Sequence, residues 1–275
     1  MKYSTSFVVS ALSETWNSLL GYSTSVSEEE WDRPSNCPNW TVRDVLAHII
    51  GTELSLLGEA SPDEPEAFGD HVKNDVGKMN ERWVTFLRTE PITRLIDRFE
   101  HVIEMRLKYL NGLDEESFNA PSWTPVGEGT YRDFMEIRVM DCFVHEQDIR
   151  VSTGSDFIYH DRSGAISLDK LTSGLGFVIG KKAKAPDGSQ VTFEIAISPN
   201  NVTSTTLLVD GGRATIVREV DHSRDTAIIK MPIDAFVFAT AGRSNAFSYL
   251  ERGEVTFEGN LILGRLIFEH LGFII

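Results

Sequence analysis

Apolar residues recur at helical spacing through the first half of the chain and give way to alternation in the second. Val8, Leu12, Trp16, Leu19 and Leu20 stand three and four positions apart, which predicts a first helix with one face turned towards other helices. After the turn-rich Arg33-Pro34-Ser35-Asn36-Cys37-Pro38 and Trp40, Thr41 is followed three positions on by Asp44, the reciprocal pattern of a capping box, so a second helix starts there. Ser61 to Asp70 is polar and carries prolines, which predicts a loop. Val76, Met79, Trp83 and Leu87 predict a third helix, and Ile92, Leu95, Ile96, Phe99, Ile103 and Leu107 a fourth that starts at Pro91. Ala120 to Gly129 reads as a loop, and Thr130 with Asp133 repeats the capping signal for a helix reaching Arg150. The first 150 residues therefore read as an all-helical bundle.

Past Gly154 the period changes. One helical stretch, Leu168 to Ile179, precedes the alternating or β-rich runs Val191 to Ile197, Thr205 to Val209, Ala214 to Val217 and Thr226 to Met231, with Asp210-Gly211-Gly212 as a hairpin turn between two of them. Helical patterns at Pro232 to Ala241 and Leu261 to Leu271 flank a short strand at Val255 to Phe257. The expected architecture is α plus α+β: a helical bundle over residues 1–155 and a small α+β domain over 160–275, with the boundary near 152–163.

Length agrees with this, since 275 residues suffice for two ordinary domains. Asp and Glu total 41 against 26 Lys and Arg, and a formal charge of -15 repels phosphate backbones and anionic lipid heads. No nucleic-acid or membrane partner is expected. The opening segment lacks the continuous apolar block of a secretory signal, and Cys37 and Cys142 form neither a CxxC pair nor a disulfide framework, so the expected location is the cytoplasm. Both cysteines read as small packed residues rather than ligands.

Asp141 and His145 stand four apart on a predicted helix, so their side chains leave one face with Cβ atoms about 6 Å apart. Apolar neighbours Ile137, Val144, Phe134 and Ile149 set Asp141 near the buried side, where a carboxylate needs a compensating partner. His48 lies between Val45 and Ile49, beside the apolar stripe of the second helix. A bundle that brought these helices together would converge two imidazoles and a carboxylate, a set suited to zinc or a similar divalent ion with an open position. The same residues also read as a hydrogen-bonded core histidine and a helix-surface pair, and periodicity does not say whether the two helices meet.

The runs Cys37-Pro-Asn-Trp-Thr-Val-Arg-Asp-Val-Leu-Ala-His48, His71-Val-Lys-Asn74, Asn80-Glu-Arg82 and Arg138-Val-Met-Asp-Cys-Phe-Val-His-Glu-Gln-Asp-Ile-Arg150 resemble the mycothiol-dependent maleylpyruvate isomerase family. Ala239-Thr-Ala-Gly-Arg243 and Val255-Thr-Phe-Glu-Gly-Asn-Leu-Ile-Leu263 resemble its C-terminal part, so the likeness extends over nearly the whole chain. The resemblance implies a DinB-like metal-binding four-helix bundle followed by a domain related to sterol carrier proteins. It implies His48, Asp141 and His145 as metal ligands, a divalent ion such as zinc, and mycothiol or a similar low-molecular-weight thiol as cofactor. It also implies Arg82 and Arg243 as arginines suited to gripping a substrate carboxylate. The characterised pattern has Glu where this chain has Asp141, and Gly-Asp where it has Gly259-Asn260.

The expected function is a metal-dependent enzyme using the thiol for isomerisation or S-transfer on a small electrophile, as a monomer or homodimer. The competing reading is a non-catalytic protein whose metal is a structural clamp and whose C-terminal domain holds an apolar ligand or a partner. A structural site needs a fourth protein ligand, for which Glu53 and Cys142 are the neighbouring candidates. Asp148 reads either as an acceptor that orients His145 or as an exposed helix-end carboxylate. Arg82 and Arg243 each read otherwise as a surface arginine, a reading that fits Arg82 better than carboxylate recognition does.

Overall fold

The computed structural model describes residues 3–218, 221 and 226–274. The chain divides into two compact units, Met1–Ser167 and Leu168–Ile275. The division falls within a helix, slightly beyond the segment where the hydrophobic period changes.

The first unit is built on four long helices: α1 (Thr5–Ser23), α3 (Val42–Leu56), α5 (Ile92–Asn111) and α7 (Tyr131–Ser152), with α2 (Glu28–Trp31), α4 (Asp75–Leu87) and α6 (Glu115–Phe118) between them. Helices α1 and α3 each pack against both α5 and α7, which closes a four-helix bundle, and α4 lies on α3. Both capping boxes read from the sequence are present, at Thr41/Asp44 and Thr130/Asp133. The predicted stripes supply the core, in which Leu12, Trp16, Leu46, Phe99 and Val139 are at most 1% exposed.

Gly51 lets α4 approach α3 so closely that a Cβ there would stand 2.3 Å from the Trp83 Cβ. Trp83 cannot retreat, because its indole N–H donates to Ser55 Oγ at 2.7 Å. Gly51→Ala is therefore expected to destabilise the bundle by about 1–3 kcal/mol, the usual cost of overpacking, despite alanine's better helix propensity. Urea denaturation checks this, and an alanine variant as stable as the parent would contradict it.

One departure from the expected all-helical half is the segment read as a loop after Ala120, which forms a hairpin of β1 (Pro121–Thr124) and β2 (Gly127–Thr130). Gly127 takes a φ of +120° at its turn, and Trp123 packs edge-on to Phe134 of α7 at 5.9 Å. Four-residue strands are too short for alternation to register as a pattern.

Helix α8 (Ser163–Ser173) leads into the second unit. There the single helix expected over Leu168 to Ile179 is broken after Ser173, continuing as α9 (Leu175–Phe177) and a π-helical turn, Val178–Lys182. Its glycines face backbone: a Cβ on Gly176 would meet Ala214 O at 2.5 Å, and one on Gly180 would meet Gly212 O at 2.9 Å. The segment is shaped by close approach to a hairpin, which local propensity does not encode.

The sheet comprises β3 (Gln190–Ser198), β4 (Asn201–Asp210), β5 (Arg213–Val217), β6 (Thr226–Pro232) and β7 (Thr256–Gly259), in the order β5-β4-β3-β6-β7. Neighbours pair antiparallel except β3 and β6, which run parallel. Gly211 and Gly212 take positive φ at the β4–β5 turn, as the Asp-Gly-Gly sequence predicted. Helix α10 (Ile233–Thr240) packs on β3 and β6, placing Phe236 edge-on to Phe193 at 6.2 Å. The short α11 (Ala246–Glu251), absent from the sequence pattern, and α12 (Leu261–Glu269) complete an α+β unit. Among the described residues no helix is long and apolar enough to cross a membrane.

Candidate functional site

Helices α3 and α7 pack together, and this contact decides the question that periodicity left open. His48 Nε2 stands 3.3 Å from Asp141 Oδ2, and His145 Nε2 stands 3.6 Å from Asp141 Oδ1. One ligand atom from each of the three residues lies within 4.8 Å of the others. These separations are long for charge-assisted hydrogen bonds, which run about 2.7–2.9 Å. The His48 separation is close to the spacing of about 3.3 Å between donors that each lie near 2.05 Å from a tetrahedral zinc, and the His145 separation, to the other oxygen, is somewhat longer.

The electrostatics also suit a cation. Burial pushes the His48 imidazole below its ordinary pKa, against the pull of Asp141, so it is held in the neutral form that ligates. Burial works to raise the Asp141 carboxyl, but Arg138 together with the two histidines holds it far below the usual carboxylate range. Arg138 donates to Asp141 and, at 2.7 Å, to Glu53 Oε1; Arg106 donates to Glu53 Oε2, also at 2.7 Å. Two guanidiniums, Arg106 and Arg138, thus face the carboxylates of Glu53 and Asp141.

Asp148 is fully buried and takes the first of its two expected roles. Its Oδ2 lies 3.1 Å from His145 Nδ1, which fixes that proton on Nδ1 and turns Nε2 towards Asp141. Cys37, read as a packed residue, is also drawn in: its Sγ donates to Asp148 Oδ2 at 3.3 Å and stands 3.8 Å from His145 Nδ1. Cys37, His145 and Asp148 thus form a second cluster on the opposite edge of the imidazole. The signal missed in the sequence was proximity across the fold, since 111 positions separate Cys37 from Asp148. His48 Nδ1 is buried without a hydrogen-bond partner.

Neither candidate fourth ligand reaches the three. Glu53 has both oxygens occupied by Arg106 and Arg138. Cys142 Sγ accepts from the Trp16 indole at 3.2 Å and from Arg138 at 3.3 Å, and burial pushes its thiol up to about 12. Cys142 is therefore a thiol rather than a ligating thiolate at neutral pH. With these candidates engaged elsewhere, neither closes the group of three as a fourth ligand.

Of the two arginines singled out, Arg82 lies on α4 with its guanidinium paired to Glu64 in the preceding loop. Arg243 lies in the second unit, just past α10, where its backbone N–H closes the helix on Phe238 O at 2.8 Å and its Nη1 donates to Ala241 O at 3.0 Å. Trp40, read from the sequence only as part of the turn and motif before the second helix, tilts its indole against both histidine rings at centroid distances of 5.3 Å from His48 and 6.4 Å from His145.

Residues 12–150 match the family model of the mycothiol maleylpyruvate isomerase N-terminal domain. Among solved structures, the chain resembles the crystal structure of a mycothiol-dependent maleylpyruvate isomerase, with a TM-score of 0.60 and 16% identity, over 94% of this chain and 95% of that one. A histidine-to-alanine variant of a mycothiol-dependent maleylpyruvate isomerase matches similarly, with a TM-score of 0.59, 15% identity and the same coverage. No curated protein matches the chain significantly.

Proposed function

The chain belongs to the mycothiol maleylpyruvate isomerase family, and from that premise we propose that it is a metal-dependent enzyme in which a low-molecular-weight thiol, mycothiol or a close relative, attacks a small electrophile. The observation that carries this reading is the convergence of His48 Nε2 and His145 Nε2 on the two oxygens of Asp141 at 3.3 and 3.6 Å. A divalent ion such as zinc, bound there, would supply the charge that converts a thiol at the open position to its nucleophilic thiolate near neutral pH. His48 and His145 would hold such an ion through their Nε2 atoms, Asp141 would offset part of its charge, and Asp148, at His145 Nδ1, leaves His145 Nε2 to face it. Addition of a thiolate to a cis double bond, rotation and elimination would give the trans isomer; retention of the thiol would give S-transfer. The engagement of Glu53 and Cys142 elsewhere favours this over a structural clamp.

The family resemblance supports Arg243 and Arg82 as cations suited to recognising a substrate carboxylate, Arg82 by exchanging Glu64 for an anion. Arg243→Ala is expected to raise KM for an anionic substrate about ten- to hundred-fold, the worth of a charge-assisted hydrogen-bond pair, while leaving metal content intact. Unchanged KM would refute a role for Arg243 in carboxylate recognition. The function itself is tested by elemental analysis of the purified protein after dialysis against a mild chelator. Turnover of maleylpyruvate and of a panel of epoxides and chloroarenes, with and without the thiol, then separates isomerase from S-transferase. A metal-free protein, or one indifferent to thiol with every substrate, would refute the reading.

A further inference from the structure

We propose that Glu81 is a positioning residue for the site, acting through the indole of Trp40, and that this pair shapes the wall against which the thiol enters; the proposal rests on the metal and thiol reading above. Trp40 is the only aromatic side chain seen to pack against both ligand histidines among the described residues, at ring spacings typical of favourable aromatic contact. An indole so placed limits rotation of both imidazoles and covers one side of the space between them. Its own orientation therefore matters to the ligand geometry.

That orientation is set by one hydrogen bond. Trp40 Nε1 donates to Glu81 Oε2 at 2.9 Å, and Glu81, on α4, is only 6% exposed, so water cannot readily take its place. The same oxygen lies 3.1 Å from His71 Nε2, and His71 Nδ1 lies 3.2 Å from the side-chain amide of Asn39. The tautomer that satisfies both places the His71 proton on Nε2, so Asn39 donates to His71, and His71 and Trp40 both donate to Glu81. Asn39 takes a left-handed φ of 63°, and Trp40 follows it directly. The turn that presents Trp40 is thus closed on itself by Ser35 N–H to Trp40 O at 2.9 Å and tied through Asn39 and His71 to the same carboxylate. Arg88, 3.7 Å from the other oxygen of Glu81 and bonded to Asp44 at the start of α3, fixes the carboxylate from behind. In the Asn80-Glu-Arg82 motif the residue that reaches the histidines, through Trp40, is Glu81, while Arg82 pairs with Glu64.

Cobalt(II) substitution of the full-length protein tests this, with 2-mercaptoethanol as the thiol probe and the ligand-field and thiolate charge-transfer bands as readout. The wild type should take up cobalt and develop the charge-transfer band on thiol addition. Trp40→Phe and Glu81→Ala should each shift the ligand-field bands and raise half-saturation for the thiol about five-fold or more, the worth of one buried hydrogen bond. The double variant should be no worse than either single one, because both act on one contact. Glu81→Gln, whose amide oxygen still accepts the indole N–H, should stay within about two-fold of wild type. Should Glu81→Ala fail to fold, Trp40→Phe, which leaves Glu81 with His71 and Arg88, must still give the loss. Wild-type spectra and thiol affinity in the folded variants, or additive losses in the double variant, would overturn the role of Glu81 while leaving the metal reading intact. A wild type that takes up no cobalt would overturn both.

Discussion

Asp141→Ala is expected to lose its metal during dialysis against a mild chelator, and thiol-dependent turnover should fall with it. Asp141 is the one anionic member of the ligand set, and its two oxygens are the points on which His48 and His145 converge. Without it, two imidazoles remain beside the Arg138 guanidinium, whose charge would then repel an ion that has no carboxylate left among its ligands. Affinity should fall at least about 100-fold, the upper end of what is lost when only a supporting partner of a ligand is removed. The fold should survive, because Arg138 keeps its bonds to Glu53 at 2.7 and 3.0 Å. Asp141→Glu is the sharper variant: it restores the longer carboxylate of the family pattern at a half-buried position with room at its outer edge. Metal should be retained, and turnover should equal or exceed that of the parent. Unchanged metal stoichiometry in Asp141→Ala would sink the three-ligand assignment and the mechanism built on it.

Glu53→Ala should be the most destabilising single change in the bundle, costing about 3–5 kcal/mol, the usual penalty for breaking a buried ion pair by removing one partner. Glu53 and Arg106 are fully buried and Arg138 is 4% exposed, so removal leaves Arg106 with only the Tyr131 hydroxyl and the Met135 sulfur, and Arg138 with Asp141 and Cys142. Arg106 Nη1 is already buried without a hydrogen-bond partner. Such a loss is a large share of the 5–15 kcal/mol that separates folded from unfolded states, and the urea midpoint should fall accordingly. Metal affinity should drop as well, since Arg138, freed from Glu53, is left to compete for Asp141 alone. A cost below about 1 kcal/mol would mean that water or a rearranged neighbour compensates the arginines, and the charge balance drawn for the site would then be wrong.

The sequence by itself determined the long helices of the bundle and where α3 and α7 begin. Apolar residues at three- and four-residue spacing define the faces that must be buried, and the Thr41/Asp44 and Thr130/Asp133 capping boxes satisfy backbone groups within their own first turn, so neither depends on the rest of the chain. It determined the strands of the second unit for the same reason, since alternation is a local property, and it offered His48, Asp141 and His145 as ligands from motif and spacing. The tertiary structure decided what those residues meet. Whether α3 lies against α7, whether Glu53 faces the ion or the arginines, and whether Cys37 and Asp148 stand behind His145 depend on contacts between positions tens to more than a hundred residues apart. No period along the chain encodes those contacts. The same holds for Trp40: the sequence places it in a turn before a helix, but its place against two imidazoles is held by Glu81, 41 positions away, on a helix whose close approach requires a glycine at position 51.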